Sequence, residues 1–261
     1  MNLDLTGKRA LVCGSSKGIG KAAAHELALL GASITLIART EEVLKEIIVH
    51  LPADDTQAHN YIVADFARPE DLKVKVEKFV KEHPVDILIN NTGGPAGGQA
   101  IDAGAEDFLQ AFSNHVICNQ LLTQAVVPGM KAAGWGRIIN VISISVKAPL
   151  RGLGVSNTIR AAVANWAKTL SLELGPFNIT VNNVLPGFAM TDRLISIINS
   201  RAEKENRTPE EIKQEMIKEI PVGRIGEAKE IAAAIAFLAS PAAGYINGIN
   251  LPVDGGKTPS L

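Results

Sequence analysis

A doubly wound α/β fold, with about seven parallel strands and helices on both faces, is predicted by three observations. Short β-branched or apolar runs recur along the chain, longer segments of helical period separate them, and no Ser/Pro-rich linker or repeat interrupts the alternation. Strands joined through helices require crossovers, and right-handed crossovers lay the strands side by side in a parallel sheet. The strand candidates are Ala10-Leu-Val-Cys, Ser33-Ile-Thr-Leu-Ile, Tyr61-Ile-Val-Ala, Asp86-Ile-Leu-Ile, Arg137-Ile-Ile-Asn-Val-Ile, Ile179-Thr-Val-Asn-Asn-Val and Gly248-Ile-Asn-Leu-Pro-Val. The charged, weakly apolar stretch from Asn199 to Glu219 reads as helical arms standing out from the core. One domain over 1–261 accounts for the length, and 46% hydrophobic residues suffice to fill its core.

Composition narrows the function classes. A net charge of −1, with both signs scattered, offers no basic face for nucleic acid. The partner expected is a small molecule. Cys13 and Cys118 are the only cysteines and have no metal-ligand spacing, so neither a disulfide framework nor a metal site is expected. A reducing, cytoplasmic setting fits this usage. No apolar run reaches signal or membrane-span length, so a soluble protein is expected.

The first strand leads into Gly14-Ser15-Ser16-Lys17-Gly18-Ile19-Gly20, and a helical run follows directly. Glycines at this junction allow a tight turn and close backbone approach, so that helix N-terminal N–H groups can hold a pyrophosphate. A turn of this kind also occurs as a plain connector. Its placement between the first strand and a helix favours a dinucleotide, and with it a Rossmann-type fold. A site for NAD(H) usually ends its second strand on Asp or Glu, which accepts from the ribose 2′-hydroxyl. Here that strand ends Leu36-Ile-Ala38-Arg39, and Arg39 offers a guanidinium where a 2′-phosphate would lie. Lys17 can add a second cation, so NADP(H) is expected in preference to NAD(H). The plainer reading makes both residues solvated surface charges.

With residues downstream, the chain resembles the short-chain dehydrogenase/reductases, particularly their β-ketoacyl carrier-protein reductase branch, over nearly its whole length. Gly14-xxx-Gly18-Ile-Gly20 is similar to the family's cofactor turn, and Asn90-Asn91-Thr92-Gly93 to its Asn-Asn-Ala-Gly signature. Asp65 follows the third strand, where the family contacts adenine. Pro186-Gly187, with Thr191 beyond it, resembles the loop that reaches the nicotinamide end. Gly223-Arg-Ile-Gly-Glu and Val253-Asp-Gly-Gly are also similar to the family's tail.

The resemblance implies hydride transfer between a nicotinamide and a carbonyl or alcohol, served by Ser, Tyr, Lys and Asn. Ser143, after Gly136-Arg-Ile-Ile-Asn-Val-Ile, occupies the serine position. Counting from both sides puts Ser156 at the tyrosine position and Arg160 at the lysine position, so Tyr-xxx-Lys has become Ser-xxx-Arg. Tyr61 and Tyr245 lie far from this helix in sequence. His115 falls at the relay asparagine position, with Asn114 one residue away. A serine hydroxyl is a far weaker acid than a phenol, and arginine holds its proton at neutral pH. His115 is either an imidazole acid, acting directly or through water, or a helix residue bonded to a neighbouring helix. Arg160 either holds the cofactor ribose or grips an anionic substrate.

The segment 189–220 resembles the family's substrate lid, and Gly93-Gly-Pro-Ala-Gly-Gly-Gln is either a flexible flap or a connector. The substrate stays open among small molecules such as an acyl thioester or an anionic carbonyl compound. A homo-oligomer, with a tetramer favoured, follows from the resemblance alone. Two functions are expected to compete. One is an NADP-dependent, 3-oxoacyl reductase-like oxidoreductase with an atypical centre; the other is a lapsed NADP-binding sensor or structural subunit.

Overall fold

The computed structural model describes residues 1–260. Its elements run β1 (Arg9–Cys13), α1 (Gly18–Leu29), β2 (Ser33–Ala38), α2 (Glu41–Val49), β3 (Asn60–Val63), α3 (Pro69–Glu82) and β4 (Ile87–Asn90). There follow α4 (Ala105–Phe112), α5 (Cys118–Ala133), β5 (Gly136–Val141), α6 (Gly154–Leu174) and β6 (Ile179–Pro186). The chain continues through β7 (Ala189–Met190), α7 (Asp192–Glu205), α8 (Pro209–Lys218), β8 (Gly226–Glu227), α9 (Ala228–Ala239) and β9 (Asn250–Val253).

All seven expected strands enter one sheet, ordered β3-β2-β1-β4-β5-β6-β9, with every pairing parallel. Period-2 alternation sorts the core into two faces. In β1, Ala10 and Val12 join the cluster beneath α1 and α9, whereas Leu11 and Cys13 join the one packed by α3 and α5. The strand order reverses between β1 and β4, which opens a crevice at the carboxyl ends of the strands.

A polar device fixes the register on one half of the sheet. Asn90 donates to Asn140 at 2.9 Å, Asn140 to Asn183 at 2.9 Å, and Asn183 to Asn250 at 2.8 Å. Each pair is also a register pair of adjacent strands. A one-residue slip would strand buried amides, so the ladder specifies alignment as well as adding hydrogen bonds.

Three strands, β1, β3 and β5, start one residue earlier than expected, and two start later. The last strand begins at Asn250 because Gly248 adopts φ +72°, outside the extended region. The fourth begins at Ile87, and the Asp86 carboxylate instead accepts from the Arg9 amide at 2.9 Å. The stretch 199–219 contributes to two packed helices, α7 and α8, whose apolar faces meet through Leu194, Ile198, Ile212 and Met216. Their outer sides carry Arg201, Arg207, Glu205 and Glu215 in mutual ion pairs. Among the described residues, no helix is long and apolar enough to cross a membrane.

Candidate active site

The carboxyl ends of β1, β2, β4, β5 and β6 frame a cavity of about 540 Å³. The phosphate turn builds one wall. Gly14 and Gly18 take φ +58° and +56°, a left-handed backbone that glycine adopts without strain. They turn the chain straight into α1, whose N-terminus carries the uncompensated N–H groups of a helix start. Gly14, Ser16, Lys17, Gly18 and Ile19 line the cavity. Ser15 and Gly20 support it from behind. The Ser15 hydroxyl is buried and donates to the Ile37 carbonyl at 3.2 Å, and Gly20 packs against Gly14 and the Asn91 amide.

Arg39 and Asp65 line the same cavity at the ends of β2 and β3. Lys17 pairs with Asp192 at 2.8 Å, tying the turn to the start of α7. Arg39 has no ion-pair partner among the described residues. Asn91 donates to the carbonyls of Cys13 and Gly14, both at 3.2 Å, so β4 holds the phosphate turn in shape. Thr92, Gly93, Pro186, Gly187 and Thr191 complete the other end, and the Thr191 hydroxyl caps α7 by accepting from Leu194 N–H.

Ser143, Ser156 and Arg160 come together on this second end. Ser143 follows β5, and its Oγ accepts from the Ser145 amide at 3.1 Å. That bond uses a lone pair and leaves the hydroxyl proton to donate. Ser156 lies in the first turn of α6. Arg160, one turn further on, is only 9% exposed; its guanidinium donates to the Val141 carbonyl at 2.9 Å and the Thr92 carbonyl at 3.4 Å. Burial and the nearby Arg193 charge lower its pKa to about 10, so it remains cationic at neutral pH.

His115 stands elsewhere. A five-residue π-helical stretch, Ser113–Ile117, links α4 to α5 and turns the imidazole behind the Gly93–Gly94 loop, outside the main cavity. The ring faces the Gly93 backbone, a loop rather than a neighbouring helix. Burial and the Arg160 charge push its pKa down to about 2. A neutral imidazole has no proton to spare as an acid near pH 7, and Asn114 is the residue of this pair that lines the cavity.

The depressed His115 pKa links pH to stability. The folded ring stays neutral while the unfolded ring protonates below its ordinary 6.5, so stability held above that pH drains away as pH falls towards 2. Between pH 6 and 4 the expected loss is about 1.4 kcal/mol per unit from this one residue. Urea unfolding across that range in wild type and His115→Asn checks it; equal slopes would contradict it.

Sequence reasoning missed Arg193, in the first turn of α7. It lines the cavity and donates to the Pro95 carbonyl at 2.6 Å. The only local signal is its position two residues after Thr191. The two tyrosines are remote: Tyr61 donates to Glu41 at 2.9 Å on the edge strand, and Tyr245 is fully exposed. Burial raises the Cys13 thiol, and the Cys118 thiol to about 12, so neither is a thiolate nucleophile. No metal-ligating cluster occurs among the described residues.

A family model described as enoyl-(acyl carrier protein) reductase matches residues 14–258. The NADPH-dependent reductase BacG of Bacillus subtilis is 30% identical over 97% of this chain and 99% of its own length. The 3-oxoacyl-(acyl-carrier-protein) reductase FabG of Pseudomonas aeruginosa is 32% identical over 97% and 98%. Among solved structures, L-sorbose reductase of Gluconobacter frateurii, complexed with NADPH and L-sorbose, superposes with a TM-score of 0.92. It is 32% identical and both chains are fully covered.

Proposed function

Because the chain belongs to the short-chain dehydrogenase/reductase family, we propose that it is an NADP-dependent oxidoreductase acting on a small carbonyl or hydroxyl compound through an atypical centre. One observation carries this reading: a single cavity joins the phosphate turn at one end to Ser143, Ser156 and Arg160 at the other. The residues present fit the dinucleotide. Open space lies where a Cβ on Gly93 would stand, α1 presents its N-terminus, and Arg39 is unpaired at the expected 2′-phosphate position. When bound, the nicotinamide supplies or accepts the hydride.

This chain's own residues provide orientation and charge. Ser143 Oγ–H donates to the substrate oxygen. The fixed Arg160 cation stabilises negative charge developing there, at no reorganisation cost when the bond changes. Neither group is an acid at neutral pH, so water entering the cavity delivers the proton after charge has built on the oxygen. Forgoing a positioned acid costs about 10²–10⁴ in rate. We read 189–220 as the lid over this end of a single-domain chain, and a second copy of the chain as the partner for exposed apolar residues on α4 and α6, among them Leu109 and Leu172.

Fluorescence titration tests the cofactor assignment. Wild type is expected to bind NADPH more tightly than NADH, and Arg39→Ala to weaken NADPH about tenfold while sparing NADH, the loss of one exposed charge-assisted contact. Equal weakening of both would remove Arg39 from the 2′-phosphate.

A further inference from the structure

Arg160 and Arg193 converge on one short loop. A Cβ built on Gly94 would stand 3.7 Å from a terminal guanidinium nitrogen of each, so both cations flank the same peptide in the cavity wall, Arg160 from the buried side and Arg193 from the exposed side. Arg160 reaches it from α6 and Arg193 from α7, and each donates to a carbonyl of the loop, Thr92 and Pro95 respectively. No carboxylate pairs with either guanidinium among the described residues. Asp192, the acid beside Arg193 in sequence, is engaged by Lys17 instead.

Two guanidinium groups this close, one of them only 9% exposed, repel each other. Backbone carbonyls offer them partial charges only, and most of their five N–H donors each remain for another acceptor. Buried charge is ordinarily compensated, and the protein partners of the buried Arg160 are carbonyl oxygens alone, which favours an anionic partner beside it. Cofactor phosphates belong at the other end of the cavity, at the α1 N-terminus beside Arg39.

We propose that Arg160 and Arg193 form a two-armed clamp for a carboxylate on the substrate, making the chain specific for oxo acids or the corresponding hydroxy acids. This rests on the oxidoreductase reading above and sharpens its substrate class. Guanidinium forks match the two oxygens of a carboxylate in one plane, whereas a neutral ester or amide leaves both charges uncompensated. Arg160 donates to Val141, two residues before Ser143, so a carboxylate held there leaves the rest of the substrate beside the Ser143 hydroxyl.

Calorimetric titration of the protein saturated with NADP⁺ tests the clamp without requiring turnover. The probes are 2-oxobutanoate, 3-oxobutanoate and 4-oxopentanoate, each against its methyl ester, with inorganic phosphate as a separate arm. At least one acid is expected to bind tenfold or more tighter than its ester. Arg193→Gln is expected to erase that preference, and Arg193→Lys to restore part of it, with NADP⁺ affinity and melting temperature unchanged. Arg193 lies at the surface, so its replacement spares the fold. Acids and esters binding alike, neither binding, or phosphate outcompeting every acid would each overturn the clamp. Repeating the acid and ester titrations without nucleotide separates the two claims: if NADP⁺ itself fails to bind, the cofactor assignment falls, and the clamp stands or falls on the acid-over-ester preference of the free protein.

Discussion

Gly20→Ala is expected to weaken NADPH binding about a hundredfold and to destabilise the fold, although it adds one methyl group. A Cβ at this position would lie 2.7 Å from the Asn91 amide nitrogen and 2.8 Å from the carbonyl carbon of Gly14. Neither can yield cheaply. Gly14 is the pivot of the turn, and the Asn91 amide is held by two carbonyls. Overpacking of this kind costs about 1–3 kcal/mol, which for a chain of this size lowers the melting temperature by roughly 3–10 °C. The displaced turn also pulls the α1 N–H groups away from the pyrophosphate, and an affinity loss of about a hundredfold follows from losing two such hydrogen bonds. Gly7→Ala is the control. Gly7, unlike Gly20, has a positive φ, +77°, but nothing lies within 4 Å of its Cβ position, so that variant should lose some stability and keep its affinity. If both variants bound NADPH like wild type, the turn would not be the pyrophosphate cradle.

Ser143→Ala carries the other large effect, on the chemical step. In the proposed mechanism its hydroxyl donates to the substrate oxygen at the carboxyl end of β5, where Oγ already accepts from the Ser145 amide. Deleting a donor aimed at developing negative charge costs about 10²–10³ in turnover. NADPH affinity is expected to stay within about twofold, since the phosphate end is untouched. Single-turnover rates with saturating NADPH separate the two quantities; a rate change below threefold would place the hydroxyl outside the reaction. Ser156→Ala should cost less, because Ser143 remains to donate to the substrate oxygen.

The fold was legible in the sequence because each strand is a continuous apolar or β-branched run, buried on both faces of a parallel sheet. Arg39 and Asp65 were locatable at strand ends for the same reason. The β7–β8 pair escaped because two-residue strands carry no period. Three features of the site depend on contacts between distant segments. Arg193 meets the Pro95 carbonyl across 98 residues of chain. Lys17, which lines the cavity, also pairs with Asp192, a contact that the turn's own sequence does not show. The neutrality of His115 follows from a π-helical stretch that buries the ring next to Arg160, and nothing in the pattern Phe112-Ser-Asn-His distinguishes that stretch from an ordinary helix.

In the mechanism proposed above, Ser156 and Arg160 stand where the family has Tyr and Lys, and Arg160 stabilises developing charge without a dedicated acid. Deuteride transfer tests it most directly. The protein is incubated with NADPH deuterated at the nicotinamide C4 and the oxo acids named above, and the products are analysed by mass spectrometry. Deuterium is expected on the former carbonyl carbon of at least one acid in wild type, and to accumulate there about 10²–10³ more slowly in Ser143→Ala. Tight NADPH binding with no deuterium transferred to any carbonyl, at any pH from 5 to 9, would contradict the claim and leave a dinucleotide-binding protein without chemistry.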